Sequence, residues 1–206
     1  MRIASFDVDA QKGFTPLCPD ELPVPEGDQI VDALNEQASI ADVRIGSKDA
    51  HPVGALWEAT EDKPVFSIVG HDNVDIRWPR HCVVGTKGFE LLDGLPAVEE
   101  YDFFVYKGLE KNLHPYSAVY HDLQLELSTG VIEYLKDQKI DTVIVGGLAL
   151  DYCVAQTAID LSYAGFEVYV NLNATRAVAE KSQEKAIEDM LNVGVALTDN
   201  FNFLNY

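Results

Sequence analysis

The chain has 206 residues, with 15 lysine and arginine against 34 aspartate and glutamate, so its formal charge is −19. At 47% hydrophobic and 24% charged it has the composition of one globular domain, spanning 1–206, that buries about 70% of its unfolded surface. A pI near 4.4 argues against nucleic acid and anionic membranes as partners.

No apolar run approaches the ~18 residues of a membrane span, and Asp7 comes too early for a signal peptide. Three cysteines cannot pair completely and are few for a disulfide scaffold. The expectation is a cytoplasmic enzyme or binding domain.

Ile3 to Val8 reads as a strand. Pro16, Pro19, Pro23 and Pro25 then interrupt any regular element. A helical pattern opens at Gly27-Asp28, with Ile30, Val31, Ala33 and Leu34 on one face. Asp42 to Ser47 is a short strand. From Lys48 to about Glu100 the pattern is irregular, as in functional loops or small insertions.

Phe103 to Tyr106 is a strand, and a helix pattern spans about Val119 to Gln138. Thr142 to Val145 is β-branched and apolar, the pattern of a buried parallel strand. A helix runs from near Asp151 to Gly165, then a strand from Glu167 to Asn171. Ser182 is placed as the cap of a last helix that Gly194 stops. Val195 to Leu197 closes the sheet. The alternation predicts an α/β fold, a three-layer α-β-α arrangement around a mainly parallel six-stranded sheet. Ligands of such sheets bind beyond the carboxyl ends of the strands.

Four strand ends carry polar residues. After the first come Asp7, Asp9 and Gln11; on an extended chain the two aspartates point the same way. After the second come Asp49 and His51. With His81 from Trp78-Pro79-Arg80-His81-Cys82 they make two imidazoles and a carboxylate, a set suited to Zn, Fe or Mn. The alternative is loop histidines bonded to backbone. After the third is Lys107, costly to bury without a nearby carboxylate. After the fourth, Gly146-Gly147 leads to Cys153 in the first turn of a helix. There the dipole favours a thiolate, and free amides can hold an oxyanion. The alternative is an inert buried thiol.

These residues resemble the nicotinamidase branch of the isochorismatase-like cysteine hydrolases, in order along essentially the whole chain. Asp9, Gln11 and Phe14 align with the family's opening Asp-x-Gln-x-x-Phe, and Asp49-Ala50-His51-Pro52 with its Asp-x-His-Pro. Trp78 to Thr86 matches its Trp-Pro-x-His-Cys-Val-x-Gly-Thr. Lys107-Gly108, Tyr116-Ser117-Ala118 and Gly147 to Val154 match the lysine strand, the loop after it and the nucleophile turn.

The resemblance implies a catalytic triad of Asp9, Lys107 and Cys153, with the amides of Ala149 and Cys153 as oxyanion hole. The family's bond before that alanine, here Leu148–Ala149, is a non-proline cis peptide. The resemblance also implies that Asp49, His51 and His81 hold a divalent transition metal (Zn, Fe or Mn) at the pyridine nitrogen, with no organic cofactor. Phe14, Trp78, Tyr116 and Tyr152 would surround the ring. The implied reaction converts nicotinamide and water to nicotinate and ammonia through a Cys153 thioester. The small molecule is the expected partner, and a homo-oligomer is compatible.

Two positions depart from the family. Many relatives carry a further metal histidine a few residues after the first, but Pro52 to Glu58 has none; Glu58 and His71 are the substitutes considered. Leu150 stands where relatives usually carry threonine. Cys18 and Cys82 are read as structural, and His114 and His121 receive no role. Rival readings are an amidohydrolase of the same fold acting on an N-carbamoyl or ureido compound, a non-catalytic binding module, and a metallohydrolase with Cys153 incidental.

Overall fold

The computed structural model describes residues 1–201. Its frame is a six-stranded, fully parallel sheet: β1 (Ile3–Val8), β2 (Val43–Asp49), β5 (Phe103–Lys107), β6 (Thr142–Leu148), β7 (Glu167–Arg176) and β8 (Ala196–Thr198), in the order β5-β2-β1-β6-β7-β8. A separate antiparallel hairpin, β3 (Ile68–His71) and β4 (Val74–Ile76), lies within the irregular stretch between β2 and β5. The helices are α1 (Val31–Ser39), α2 (Val131–Asp137), α3 (Ala155–Tyr163) and α4 (Glu180–Asn192).

The period-2 alternation of the strands separates two cores. Ala4, Phe6 and Val8 of β1 join Val143 and Val145 of β6 against Leu135 of α2, Leu161 of α3 and Met190 of α4. On the other face Leu34 of α1 packs with Leu148, Ala174 and Phe14. The three-layer arrangement follows. The chain builds outward from β1 through β2 to β5, then returns to build β6, β7 and β8 on the other side. β1 and β6 therefore flank the switch point where doubly wound sheets open a crevice.

Gly147 permits this closeness. Its φ is +122°, and a Cβ there would run into the main chain of Val8 on the adjoining strand. The Leu148–Ala149 peptide just beyond is cis.

Three expectations need correction. The helix pattern from Val119 to Gln138 is helical only over Val131–Asp137. In the earlier part the Asp122 carboxylate accepts the amides of Glu126 (3.0 Å) and Leu127 (3.0 Å), a side-chain alternative to helical bonding. Val119, Leu123 and Leu127 there have the spacing of a helical stripe, yet Leu127 is exposed. Ser182 does not cap the last helix either: Ala179 is its N-cap. The Asp151 carboxylate, distant in sequence, accepts the amides of Val178 (3.0 Å) and Ala179 (3.2 Å) and the Ser182 hydroxyl (2.6 Å).

Third, Asp7 and Asp9 do not point the same way. Asp7 binds Arg44 (2.6 Å) and Tyr101 (3.0 Å). Asp9 has φ +46°, which breaks the strand alternation and releases its carboxyl to the sheet's end. No helix among the described residues is long and apolar enough to cross a membrane.

Replacing Gly147 with alanine should lower unfolding free energy by about 2–5 kcal/mol, through a disfavoured φ and a forced shift of β1. Urea denaturation of the variant beside the wild type measures it; an unchanged midpoint would refute the close-packing account.

Candidate active site

The carboxyl ends of β1, β2, β5 and β6 converge as the sequence predicted. Lys107, the last residue of β5, is fully buried. Its ammonium lies 3.0 Å from Asp9 Oδ2, 2.5 Å from Asp49 Oδ1 and 3.6 Å from Cys153 Sγ, and donates to the Pro115 carbonyl at 3.2 Å. Ser47 Oγ donates to Asp9 Oδ1 at 2.7 Å and accepts the Asp9 amide at 3.2 Å, which sets the carboxyl's rotation. Gln11 holds the main chain of Asp49 from both sides: its Oε1 accepts the Asp49 amide (2.8 Å) and its Nε2 donates to the Asp49 carbonyl (2.9 Å).

Electrostatics follow from burial. Burial pushes Asp9 up, and the Lys107 charge only partly offsets it. Asp49 is buried too, but the Lys107 ammonium beside it holds it far below the usual carboxylate range. Burial works against the Lys107 charge, yet Asp49 and Asp9 together keep its ammonium protonated well above its ordinary value.

Cys153 overturns one expectation. It lies in a widened helical turn, Leu150–Val154, that leads into α3. A helix terminus alone would lower the thiol pKa, but burial, with the Asp9 and Asp49 carboxylates, pushes it well above the ordinary value against the pull of Lys107. The resting group is a thiol beside an ionisable Asp9. In the same turn the Tyr152 and Val154 amides both donate to the Ala149 carbonyl at 3.1 Å.

The second half of the site is a knot of rings. His51 Nδ1 faces the Gly108 carbonyl at 3.1 Å and His81 Nδ1 faces the Pro79 carbonyl at 2.6 Å. With the proton on each Nδ1, each Nε2 lone pair is directed toward Asp49 Oδ2, 3.4 Å from His51 and 3.9 Å from His81. Backbone bonding at Nδ1, posed by the sequence as an alternative to metal ligation, leaves each Nε2 available to a metal and so is compatible with it. Gly108 is required here, since its φ is +69° and a Cβ would run into the His51 ring.

His51 Nε2 is buried without a hydrogen-bond partner, so its lone pair is available to a cation. Burial pushes His81 down to about 3, so its imidazole is neutral at ordinary pH, the form that binds metals. The donor set fits a divalent transition metal.

Phe14, Trp78, Tyr116 and Tyr152 line one narrow cleft with Cys153 and His81. Tyr152 stands edge-on to Trp78 at 4.7 Å, and Phe14 lies 5.2 Å from the His81 ring. Trp78 Nε1 donates to Tyr116 Oη (3.1 Å), which donates to Asp75 of β4 (2.9 Å). The β3–β4 hairpin therefore braces the aromatic wall.

Neither substitute for the missing histidine is in place. Glu58 Oε1 accepts the Gly54 amide (2.9 Å) to close a turn, and His71 is exposed on the hairpin. Two residues without an assigned role do enter the knot: Trp57, fully buried with its ring 4.5 Å from that of His51, and His114, 4.8 Å from Trp57. Only the single-residue spacing of His114 from Tyr116 hinted at the second.

A family model described as the isochorismatase domain matches residues 6–200. A nicotinamidase from Acinetobacter baylyi is 36% identical over 204 residues, covering 96% of this chain and 92% of the relative. Among solved structures, a nicotinamidase and pyrazinamidase of Acinetobacter baumanii superposes with a TM-score of 0.87 at 32% identity, covering 95% of each chain. A pyrazinamidase of Pyrococcus horikoshii in complex with zinc gives 0.76 at 29% identity, covering 97% of this chain and all of that one.

The charges around Cys153 predict its reactivity. Iodoacetamide should label it more slowly than a free peptide thiol at pH 7, with a rate still climbing above pH 9; Cys82, fully buried, should label only after denaturation. Mass spectrometry of timed samples reads both. A Cys153 rate that levels off below pH 8 would contradict the arrangement.

Proposed function

The chain belongs to the isochorismatase family, and on that premise we infer that it hydrolyses nicotinamide to nicotinate and ammonia with Cys153 as nucleophile. One observation carries the reading: a buried ammonium reaches Asp9, Asp49 and the Cys153 sulfur at 3.0, 2.5 and 3.6 Å. A thiol, a carboxyl of raised pKa and a fixed positive charge are what acyl transfer through sulfur needs.

In this reading Asp9 accepts the thiol proton as Sγ attacks the carboxamide carbon. The amides of Ala149 and Cys153 receive the oxyanion. The C–N bond breaks, Asp9 returns the proton to the leaving nitrogen, and ammonia departs from the thioester. Water then attacks, its proton passes to Asp9, and nicotinate leaves as the thiol is restored. Lys107 holds the balance of charge and does not transfer a proton, since its two carboxylate partners keep it protonated. The raised pKa of Asp9 brings it nearer to that of the thiol it must deprotonate.

Asp49, His51 and His81 would hold a divalent metal that takes the pyridine ring nitrogen and so orients the carboxamide toward Cys153. The zinc in the Pyrococcus pyrazinamidase supports zinc as the first ion to test, and iron and manganese suit the same donors. Phe14, Trp78, Tyr116 and Tyr152 would clamp the ring faces. We place this single hydrolase unit, 1–206, in the cytoplasm: Cys18, Cys82 and Cys153 are all free, and the proposed nucleophile needs a reducing compartment.

Ammonia release from nicotinamide tests the reading. Cys153→Ala and Asp9→Asn should each reduce kcat at least about 10³-fold with the fold retained by circular dichroism. Persistence of turnover in Cys153→Ala would favour attack by metal-bound hydroxide instead. Release of ammonia only from N-carbamoyl or ureido compounds would transfer the triad to another amidohydrolase.

The pH profile has a definite sign. Protonated Asp9 cannot accept the thiol proton, so kcat/KM should rise with pH as Asp9 ionises. Its midpoint should lie above the ordinary aspartate value of about 4. A midpoint at or below 4, with commitment to chemistry excluded by a slow substrate, would remove Asp9 as base.

A further inference from the structure

The ring knot contains a third imidazole that the metal reading above does not use. His51, His81 and His114 each bring one ring nitrogen to within 4.8 Å of the other two. His114 is only 4% exposed, and its Nδ1 is buried without a hydrogen-bond partner, as is His51 Nε2. Two orphaned nitrogens in one buried cluster are unusual, because buried polar atoms are almost always satisfied. A shared cation would satisfy both.

The position of His114 is set from outside the knot. Its amide donates to the Asn73 carbonyl (2.9 Å) at the tip of the β3–β4 hairpin, and the next residue's carbonyl accepts from Lys107 (3.2 Å). The ring lies nearly parallel to that of His51, 22° off at 5.5 Å, and beside Trp57. The imidazole is thus held on both sides by packing and by main-chain bonds, with no competing hydrogen bond at Nδ1.

We propose that His114 is an additional protein ligand of the metal held by Asp49, His51 and His81. This rests on the reading of those residues as a metal site and completes it: His114 takes the place in the donor set that neither Pro52 to Glu58 nor His71 fills. The resulting three imidazoles and one carboxylate favour zinc or iron over the harder manganese.

The test measures metal affinity directly. Zinc dissociation constants are determined by competition with a chromophoric chelator on the intact wild-type, His114→Ala, His114→Gln and His51→Ala proteins, together with the visible absorption of each loaded with cobalt(II). Thermal melts of the metal-free proteins check folding, and His114→Gln retains a polar side chain if the alanine variant is unstable. We expect both His114 variants to bind zinc at least about tenfold more weakly and to show an altered cobalt band intensity.

If His51→Ala loses zinc while both His114 variants keep wild-type affinity and spectrum, the additional ligand is overturned and the metal site stands. If His114→Gln leaves zinc affinity unchanged but weakens nicotinate binding, His114 contacts substrate and the proposal is again overturned. Unchanged zinc affinity in all three variants would remove both the proposal and the metal site beneath it.

Discussion

The buried ammonium of Lys107 is the constraint on which the site depends. A lone cation with no exposure would be neutralised or expelled, since desolvation costs several kcal/mol even after relaxation. Here Asp9 and Asp49 meet it from the ends of two different strands, and Cys153 from the helical turn after β6. The requirement is reciprocal: without Lys107 the two carboxylates would repel each other in a dry cavity. Charge balance at this point therefore fixes how β1, β2, β5 and the turn after β6 are arranged at the sheet's end.

Asp49 joins the two halves of the site. Oδ1 belongs to Lys107, while Oδ2 faces the imidazoles of His51 and His81. Its main chain is held by a pair of hydrogen bonds with the Gln11 side chain, so the carboxylate has little freedom to favour one side. Any cation bound by the histidines would draw on the same carboxylate that steadies Lys107. In this way the proposed ring binding and thiol chemistry, though assigned to different residues, would share one electrostatic centre.

The surrounding elements serve to keep this centre rigid and dry. Gly147 lets β6 approach β1, and Gly108 leaves room for the His51 ring. Trp57, Trp78 and Tyr116 close the cleft, with Asp75 reaching in from the hairpin. Asp151, one position from the cleft residue Tyr152, turns the other way and anchors the start of α4. Neighbours in sequence thus divide between function and support because successive residues of the turn face opposite sides.

Much of the fold was legible in the sequence. Ile3 to Val8 reads as a strand and the β-branched, apolar Thr142 to Val145 as a buried parallel one, and the two pair in parallel in the sheet. Asp49 and His51 read as a candidate pair from their spacing, whereas the pairing of Ala149 with Cys153 came from the family resemblance and not from spacing. Three things were decided only by tertiary structure. The stripe of Val119, Leu123 and Leu127 has helical spacing, yet Asp122 captures the backbone locally. Cys153 sits where a dipole favours thiolate, yet burial, with the Asp9 and Asp49 carboxylates, pushes its thiol up instead. His114 and Trp57 carry no motif, and their place beside His51 arises from loops that the β3–β4 hairpin folds back over the sheet. Local pattern determines which segments become strands and helices, because propensity and periodicity act over a few residues. The protonation of a buried group and the membership of a ligand cluster depend on charges and rings contributed from elsewhere in the chain, so only the folded arrangement determines them.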